Sequence, residues 1–283
     1  MGLADNESMR VGELRVVIFD LDGVIYRGDQ VLPGAADTVT WLGEHGYQVH
    51  FLTNNSGTTR QDYVKKLTGL GVSCEIGQMM TSAYATGLYF QEQGLLPARV
   101  LVIGHEGLRS ELREAGITVV LADEPGEVGY VIVGMDREFT YQMLLRAQQA
   151  ILGGARFIAC NRDPTYPVEN GVLPGSGALV SAVATASLTE PFVIGKPRTY
   201  MLEKILAKAQ AQPSEALIVG DRLDTDVAVG HRAGLRTVLV LTGVTSREEA
   251  ESAPGEQQPD WVIGDLREFT ALLEDSSAGV NHA

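Results

Sequence analysis

Residues 15–23 read RVVIFDLDG, and this stretch decides the fold. Arg15 to Phe19 is short, β-branched and apolar on both faces, which is typical of a strand buried inside a parallel sheet. Asp20 and Asp22 follow that run directly, and Gly23 ends the stretch. In open parallel sheets, ligands bind beyond the carboxyl ends of the strands. The stretch therefore predicts a buried parallel strand with two carboxylates at the edge where ligands gather.

Apolar runs and helical stretches alternate along the rest of the chain. Short β-branched runs predict strands, and longer stretches, several of them closed by Gly, predict helices. Such alternation is typical of βαβ units and of parallel sheets, so we expect an α/β fold. The predicted strands are 15–19, 47–52, 99–103, 118–121, 130–133, 156–159, 192–194, 216–219, 237–241 and 261–263, and the predicted helices are 33–45, 59–70, 82–93, 140–152 and 177–186.

Composition and charge exclude some classes of function. The chain has 283 residues, 45% of them hydrophobic and 20% charged, which are ordinary values for a globular enzyme. Its formal net charge of −14 repels polyanions, so we expect no nucleic-acid partner. Small phosphorylated substrates stay possible, because a bound metal ion reverses the local field.

Nothing in the sequence predicts a membrane or secretory protein. Cys74 and Cys160 lack metal spacing and are expected to be reduced thiols. No apolar run approaches the roughly 18 residues that a bilayer span needs. Residues 1–10 are acidic and polar, unlike a signal peptide. We expect the protein to be cytoplasmic.

Polar residues also follow three later predicted strands. They are residues 53–56 (TNNS), residues 195–197 (GKP) and residues 220–226 (GDRLDTD). Together with DLDG, these segments supply carboxylates, a hydroxyl with amides, one lysine and a second acidic cluster. A phosphoryl-transfer site needs these groups as nucleophile, proton shuttle, anion clamp and ligands for a hard cation.

Each segment alone also has a structural explanation. DLDG is compatible with a turn or a helix cap. TNNS could cap the helix predicted from Thr59. Lys196 could be a solvated lysine at a helix start, and the carboxylates after Gly220 could be surface charge. The occurrence of all four segments at strand ends favours a site.

With these segments in hand, the chain resembles the haloacid dehalogenase-like hydrolase superfamily. The similarity is to its capped subfamily IIA, the branch of NagD-like, p-nitrophenyl, phosphoglycolate and pyridoxal phosphate phosphatases. The resemblance extends from about Arg15 to about Leu273. Its most specific stretches are VVIFDLDGVIYRGD (16–29), FLTNNSGTTR (51–60), CNRDPTYPVENGVLPGSGAL (160–179), VIGKP (193–197) and IVGDRLDTDVAVGHRAGL (218–235).

The resemblance implies a catalytic role for two carboxylates and a metal site. Asp20 would be the nucleophile, and Asp22 would protonate the leaving oxygen and later activate water. Mg²⁺ would be held by a carboxylate oxygen of Asp20, the backbone carbonyl of Asp22 and the carboxylate of Asp221. Asp226 would orient that shell from behind. This fits the physics, because a carboxylate attacks a dianionic phosphate poorly until a cation neutralises both.

The resemblance also implies the residues that hold the phosphoryl group. These are Thr53, the amide of Asn54 and Lys196, with Asn55 beside them, and Lys196 is also expected to be a catalytic residue. Because Asp22 supplies a proton donor that dehalogenase and phosphonate-cleaving relatives lack, the chain is expected to be a phosphomonoesterase.

A long insertion separates Thr53 from Lys196, with 142 residues between them. The resemblance implies a Rossmann-like parallel-sheet core with an inserted α/β cap domain of the C2 type. We expect core residues 1–81 and 189–283 and a cap of residues 82–188. A lid of this kind excludes water and contacts the leaving group. Relatives often form homodimers through the cap, so a homodimer is possible.

Tyr166 is the cap residue singled out as a substrate contact. It stands where pyridoxal phosphate phosphatase carries a His in the frame Asp-Pro-x-x-Pro, which argues against pyridoxal phosphate as the main substrate. The other possibility is that Tyr166 is a packed aromatic residue.

The function expected from the sequence is a Mg²⁺-dependent phosphatase of small phosphate monoesters. Candidates are p-nitrophenyl phosphate in vitro and a sugar phosphate, phosphoglycolate or a nucleotide in vivo. The alternative is a catalytically weak phosphometabolite-binding or regulatory protein on the same fold. The presence of both Asp20 and Asp22 favours the enzyme.

Overall fold

The computed structural model describes residues 14–168 and 171–278. Residues 1–10, for which no signal peptide is predicted, lie outside this range. The chain divides into two compact units. The first unit comprises Met1–Phe51, Thr68–Ser73 and Glu203–Ala283, and the second comprises Leu52–Leu67 and Cys74–Leu202. These bounds differ from 82–188, so the cap boundaries stay a prediction.

Strands and helices alternate along the described chain. The strands are β1 (Val16–Phe19), β2 (Tyr26–Arg27), β3 (Gln30–Val31), β4 (Gln48–Thr53), β5 (Met79–Thr81), β6 (Arg99–Ile103), β7 (Thr118–Val120), β8 (Tyr130–Val133), β9 (Arg156–Ala159), β10 (Thr165–Val168), β11 (Gly171–Pro174), β12 (Phe192–Val193), β13 (Ala216–Gly220), β14 (Arg236–Val240) and β15 (Trp261–Ile263). The helices are α1 (Ala35–Glu44), α2 (Arg60–Gly69), α3 (Ser82–Glu92), α4 (Glu106–Glu114), α5 (Tyr141–Leu152), α6 (Ser176–Ser187), α7 (Tyr200–Ala209), α8 (Ala228–Ala233), α9 (Arg247–Ser252) and α10 (Arg267–Ala278).

A parallel sheet forms the centre of the first unit, with the strand order β15-β14-β13-β1-β4. All residues of β1 and β13 are buried, as their apolar sequences VVIF and ALIVG predict. Phe19 pairs with Val219 on one side and with Phe51 on the other. The residues that follow β1 and β13 therefore emerge at the same edge of the sheet.

The second unit contains another parallel sheet, with the strand order β12-β9-β8-β6-β7. Its core joins apolar residues of β6, β8 and β9 to the buried faces of α5 and α6, among them Val133, Ala147 and Val180. Two parallel sheets with intervening helices confirm the α/β class. Each predicted strand and helix is found, with ends shifted by no more than two residues.

The sequence did not predict two antiparallel hairpins. One joins β2 to β3, and the other joins β10 to β11 inside the Pro- and Gly-rich segment 161–177. Val172 and Leu173 of β11 are exposed. Such a hairpin leaves no continuous apolar run, which is the signal that identified the central strands.

Two further expectations concern cysteines and membranes. Cys74 and Cys160 are both free and buried. Burial raises the pKa of each thiol to about 12, which keeps both thiols protonated and unreactive. Among the helices of the described residues, none is long and apolar enough to cross a bilayer.

Candidate active site

Three buried carboxylates meet in the first unit. Asp20, Asp221 and Asp226 each offer an oxygen, and these oxygens lie within 4.8 Å of one another. Asp20 follows β1 and Asp221 follows β13, whose last paired residues are neighbours in the sheet. The N–H of Asp20 donates to the carbonyl of Val219 at 2.9 Å, so the pairing continues to the start of the cluster. Residues 201 positions apart thus meet because their strands are parallel neighbours.

Asp221 is held by the loop that follows β14. Its Oδ2 accepts a hydrogen bond from the N–H of Val244 at 2.9 Å, and its carbonyl accepts one from Thr245 Oγ1 at 2.7 Å. At 2% exposure, Asp221 is not the solvated surface charge that the sequence left open. The loop fixes both the main chain and the side chain of this residue.

Asp226 braces Asp221 from within the same segment. Leu223–Val227 forms a π-helical turn, which returns the Asp226 side chain toward the end of β13. Its Oδ2 accepts hydrogen bonds from the N–H of Asp221 at 3.2 Å and of Arg222 at 3.1 Å. These bonds support the orienting role expected for Asp226, while Asp224 of the same motif pairs with Arg222 at the surface.

Asp22 lies in a tight turn after β1. Gly23 has φ +85°, a left-handed conformation that favours glycine, and its N–H donates to the carbonyl of Tyr26 at 2.8 Å. The Tyr26 hydroxyl donates to Asp22 Oδ2 at 3.2 Å. The turn places a partly buried carboxyl two residues beyond Asp20 and orients it through a buried phenol.

The acidic cluster fits a hard divalent cation. Three buried carboxylates within 4.8 Å repel one another, and a cation offsets that repulsion. The donors are all oxygen atoms, the ligands that Mg²⁺ prefers, and few of them come from the protein, as is usual for Mg²⁺. The residues present therefore match the metal that the sequence predicts.

A second group of predicted residues meets in the second unit. Asn54 Oδ1 accepts a hydrogen bond from the N–H of Lys196 at 2.8 Å, and Asn54 Nδ2 donates to the carbonyl of Lys196 at 3.1 Å. Lys196 is 3% exposed, so it is not the solvated lysine that the sequence left open. Two segments separated by 142 residues are thus joined by a pair of hydrogen bonds.

The TNNS segment does not cap the helix that follows it. Thr59 caps α2, because its Oγ1 accepts the N–H of Asp62 at 3.1 Å. Within TNNS, Thr53 Oγ1 accepts the N–H of Asn55 at 3.1 Å, and Asn55 Oδ1 accepts the N–H of Gly57 at 2.8 Å. In this segment, side-chain oxygens accept hydrogen bonds from backbone N–H groups two residues further along, and these bonds fix the backbone of the loop.

Tyr166 lies on the β10–β11 hairpin, paired with Leu173. The Arg137 guanidinium lies 5.5 Å from the centre of its ring. The Tyr166 hydroxyl is buried and has no hydrogen-bond partner among the described residues. A packed aromatic usually satisfies its hydroxyl, so this geometry suits a residue that meets a further polar group.

Sequence reasoning missed several supporting residues. Asp163 and Asn161 contact Asn54, and the loop 242–245 holds Asp221. Each of these follows a strand, β9 or β14, whose end carries polar residues. The same signal, polar residues just after the end of a strand, marks DLDG and GKP.

Comparisons with known proteins identify the family. A family model described as haloacid dehalogenase-like hydrolase matches residues 17–118, and a HAD-hydrolase-like model matches residues 193–269. Chronophin of Mus musculus is 36% identical over 279 residues, which are 94% of this chain and 95% of that protein. The acid sugar phosphatase of Staphylococcus haemolyticus is 36% identical over 260 residues, covering 92% and 97% of the two chains.

Solved structures agree with this result. The 4-nitrophenylphosphatase of Thermotoga maritima superimposes with a TM-score of 0.86 at 30% identity, over 93% of this chain and 98% of that one. A glycerol phosphate phosphatase of Mycobacterium tuberculosis in complex with magnesium gives 0.84 at 34% identity, over 95% and 79%. NagD of Escherichia coli K-12 gives 0.81 at 34% identity, over 90% and 98%.

Two parallel sheets, a buried acidic cluster at strand ends and these relatives define a hydrolase of the phosphatase class. The chain belongs to the haloacid dehalogenase-like hydrolases, in the NagD-like subfamily IIA, as the sequence predicted.

Proposed function

We propose that this protein is a Mg²⁺-dependent phosphatase that hydrolyses small phosphate monoesters through a phosphorylated Asp20. The observation that carries the proposal is the buried cluster of Asp20, Asp221 and Asp226, with Asp22 two residues beyond Asp20. A cation bound there supplies charge neutralisation, so that a carboxylate can approach a dianionic phosphate.

Asp20 and Asp22 divide the chemistry between them. A carboxylate oxygen of Asp20 attacks phosphorus, and the ester P–O bond breaks as the Asp20–phosphorus bond forms. Asp22 gives its proton to the departing oxygen. Asp22, now ionised, takes a proton from a water molecule that attacks the same phosphorus and releases phosphate from Asp20. The hydrogen bond from the Tyr26 hydroxyl holds the Asp22 carboxyl in one orientation for both proton transfers.

Thr53, Asn54 and Lys196 are proposed to hold the phosphoryl oxygens, with Asn55 shaping the loop. Both Asn54 side-chain hydrogens are already committed, so its contact with the anion comes from the backbone N–H. Thr53 Oγ1 accepts the N–H of Asn55, which leaves its hydroxyl hydrogen for another acceptor. Lys196 contributes the positive charge that an anion clamp needs.

The relatives support the substrate class and leave the individual substrate open. They include an acid sugar phosphatase, a 4-nitrophenylphosphatase and a glycerol phosphate phosphatase. Each name refers to a phosphate monoester, and these monoesters differ in the alcohol or phenol that is bound to the phosphate. This pattern is expected of a family whose members share the residues that hold the phosphoryl group but differ in the residues that contact the leaving group.

Phosphate release from a panel of phosphorylated metabolites, with and without Mg²⁺, tests the proposal. We expect release with Mg²⁺, none in chelator, and none from Asp20→Asn, which keeps the shape of the side chain but removes the nucleophile. Asp123→Asn, the same change at an exposed residue, should leave activity unchanged. Acid quenching should trap phosphate on the wild-type protein and none on Asp20→Asn.

A binding or regulatory protein on this fold would retain phosphometabolite affinity without release or trapping. Activity of Asp20→Asn within about tenfold of wild type, a barrier change of only ~1.4 kcal/mol, would contradict the assignment of the nucleophile.

A further inference from the structure

Asn54 is the centre of a hydrogen-bond network in the second unit. Its carbonyl accepts Ser82 Oγ and Asn161 Nδ2, each at 2.6 Å. Its side chain exchanges two hydrogen bonds with the backbone of Lys196. The second hydrogen of its Nδ2 goes to Asp163 Oδ1 at 3.1 Å. The residue is buried, so each of these bonds replaces one to water.

Two of these bonds fix which way the Asn54 amide points. The N–H of Lys196 only donates, so it requires the amide oxygen on its side. An ionised Asp163 carboxylate only accepts, so it requires the amide nitrogen on its side. In the flipped orientation, donor would face donor and acceptor would face acceptor. Asp163 therefore reinforces the orientation that the Lys196 backbone also requires of the side chain joining the TNNS loop to the GKP loop.

Asp163 is itself held rigidly. Its N–H donates to Asn161 Oδ1 at 3.1 Å, and its carbonyl accepts the N–H of Gly177 at 2.9 Å. Ser176 Oγ donates to the same Asn161 oxygen at 2.7 Å. The start of α6 and the end of β9 thus fix the backbone at residue 163, and the carboxylate is presented to Asn54 from a firm support.

We infer that Asp163 is a positioning residue for phosphoryl binding: its carboxylate orients the Asn54 amide and, through it, the backbone of Lys196. The inference rests on the proposed phosphatase function, because it takes Asn54 and Lys196 as the residues that hold the phosphoryl group. Loss of the Asp163 acceptor leaves the amide held by the Lys196 backbone alone and one Asn54 N–H without this bond, which weakens the support of the Lys196 backbone. The phosphoryl group is common to all substrates, so binding should weaken by the same factor whatever the leaving group.

Two substitutions separate the acceptor from the charge. Asp163→Ala removes the acceptor, whereas Asp163→Asn keeps an oxygen that can accept from Asn54 Nδ2. For Asp163→Ala we expect the dissociation constant of orthophosphate, measured calorimetrically with Mg²⁺ present, to rise about 10- to 100-fold. The value of kcat/KM should fall by one common factor for two substrates with different alcohols. Asp163→Asn should stay within about threefold of wild type in both measurements.

Two controls address folding and pathway. Asp123→Ala removes the same charge at an exposed site of the second unit and should change neither measurement. In the background of Asn54→Ala, Asp163→Ala should add little, because residues that act through one another are not additive. Circular dichroism melting of each variant identifies any that fails to fold. If Asp163→Ala does not fold, Asp163→Ser, whose shorter side chain withdraws the acceptor, takes its place with the same expected losses.

Three outcomes overturn the inference. They are an unchanged orthophosphate constant in folded Asp163→Ala, equal damage in Asp163→Asn and Asp163→Ala, and full additivity with Asn54→Ala. A wild-type protein that binds orthophosphate but releases none from any monoester refutes the proposed function instead, and the orthophosphate measurements still test Asp163.

Discussion

Gly243→Ala is expected to disable the acidic cluster while leaving the fold intact. Gly243 lies in the loop after β14, beside Asp221. A Cβ built on Gly243 would lie 2.0 Å from Asp221 Oδ2 and 2.1 Å from Asp221 Cβ. Ordinary contacts between carbon atoms are about 3.5–4.0 Å, so Asp221 would have to retreat by about 1.5 Å.

Such a retreat is blocked on two sides. The carboxylate of Asp221 is tied to the N–H of Val244, and its carbonyl is tied to Thr245. Gly23 lies beside the same carboxylate, since a Cβ built there would come within 2.5 Å of Asp221 Oδ2. Mg²⁺ demands near-ideal octahedral geometry with oxygens at about 2.0–2.1 Å, so a shift of this size removes a ligand. We expect apparent Mg²⁺ affinity to fall about 10- to 100-fold or more, at least ~1.4–2.7 kcal/mol.

The assay is the Mg²⁺ dependence of phosphate release, together with the shift in melting temperature that Mg²⁺ produces. The second readout needs no turnover, because a ligand that binds only the folded state stabilises it. Gly43→Ala is the matched control, since its added methyl meets nothing within 4 Å. Gly43 lies in α1, so that change should stabilise the protein by roughly 0.5–1 kcal/mol.

The reasoning is wrong if Gly243→Ala is half-saturated by Mg²⁺ at a concentration within about threefold of wild type. It is also wrong if Mg²⁺ raises the melting temperature of Gly243→Ala as much as it raises that of Gly43→Ala. Either result would mean that the loop yields without moving Asp221.

Two further predictions concern the hairpin and the first sheet. Tyr166→Ala should change the ratios of kcat/KM among substrates more than it changes kcat for any of them, because the phosphoryl group is proposed to be held by other residues; a uniform fall in kcat with unchanged ratios would contradict a role in leaving-group selection. His50 is buried in β4, where desolvation and then Lys208 lower the pKa of His50 from 6.5 to about 4. The folded protein therefore favours neutral His50. The free energy of unfolding keeps its full value above pH 6.5 and falls as the pH drops from 6.5 to 4, by at most about 3 kcal/mol. His50→Leu should unfold with a free energy that depends less on pH in this window, and equal slopes in urea melts of both proteins would refute it.

The sequence predicts the parallel sheets well because their signal is local. Strands β1 and β13 are short apolar runs that need burial on both faces, and few structures other than a central parallel strand satisfy them. Their ends carry Asp20 and Asp221, so the candidate site was predicted from the same runs. The agreement comes from a single rule that links strand, edge and ligand.

The hairpins could not be predicted in the same way. The strands of the β10–β11 hairpin are Thr165–Val168 and Gly171–Pro174, where prolines and exposed apolar side chains interrupt any alternation. Its position depends on backbone bonds outside it, such as the one from Gly177 to the carbonyl of Asp163. Hydrogen bonds of this kind leave no pattern in a short stretch of sequence from which a strand could be predicted.

Backbone geometry, more than their identity as aspartates, sets the roles of four of the five carboxylates in the two acidic motifs. Asp20 and Asp221 lie at adjacent strand ends, so they must meet. Asp226 is buried because a π-helical turn returns it to the N–H of Asp221, whereas Asp224, two residues earlier, projects to the surface. A sequence pattern alone treats Asp224 and Asp226 alike. Because they are two residues apart in a helical turn, their side chains point to different sides, so that one supports the cluster and the other is a surface charge.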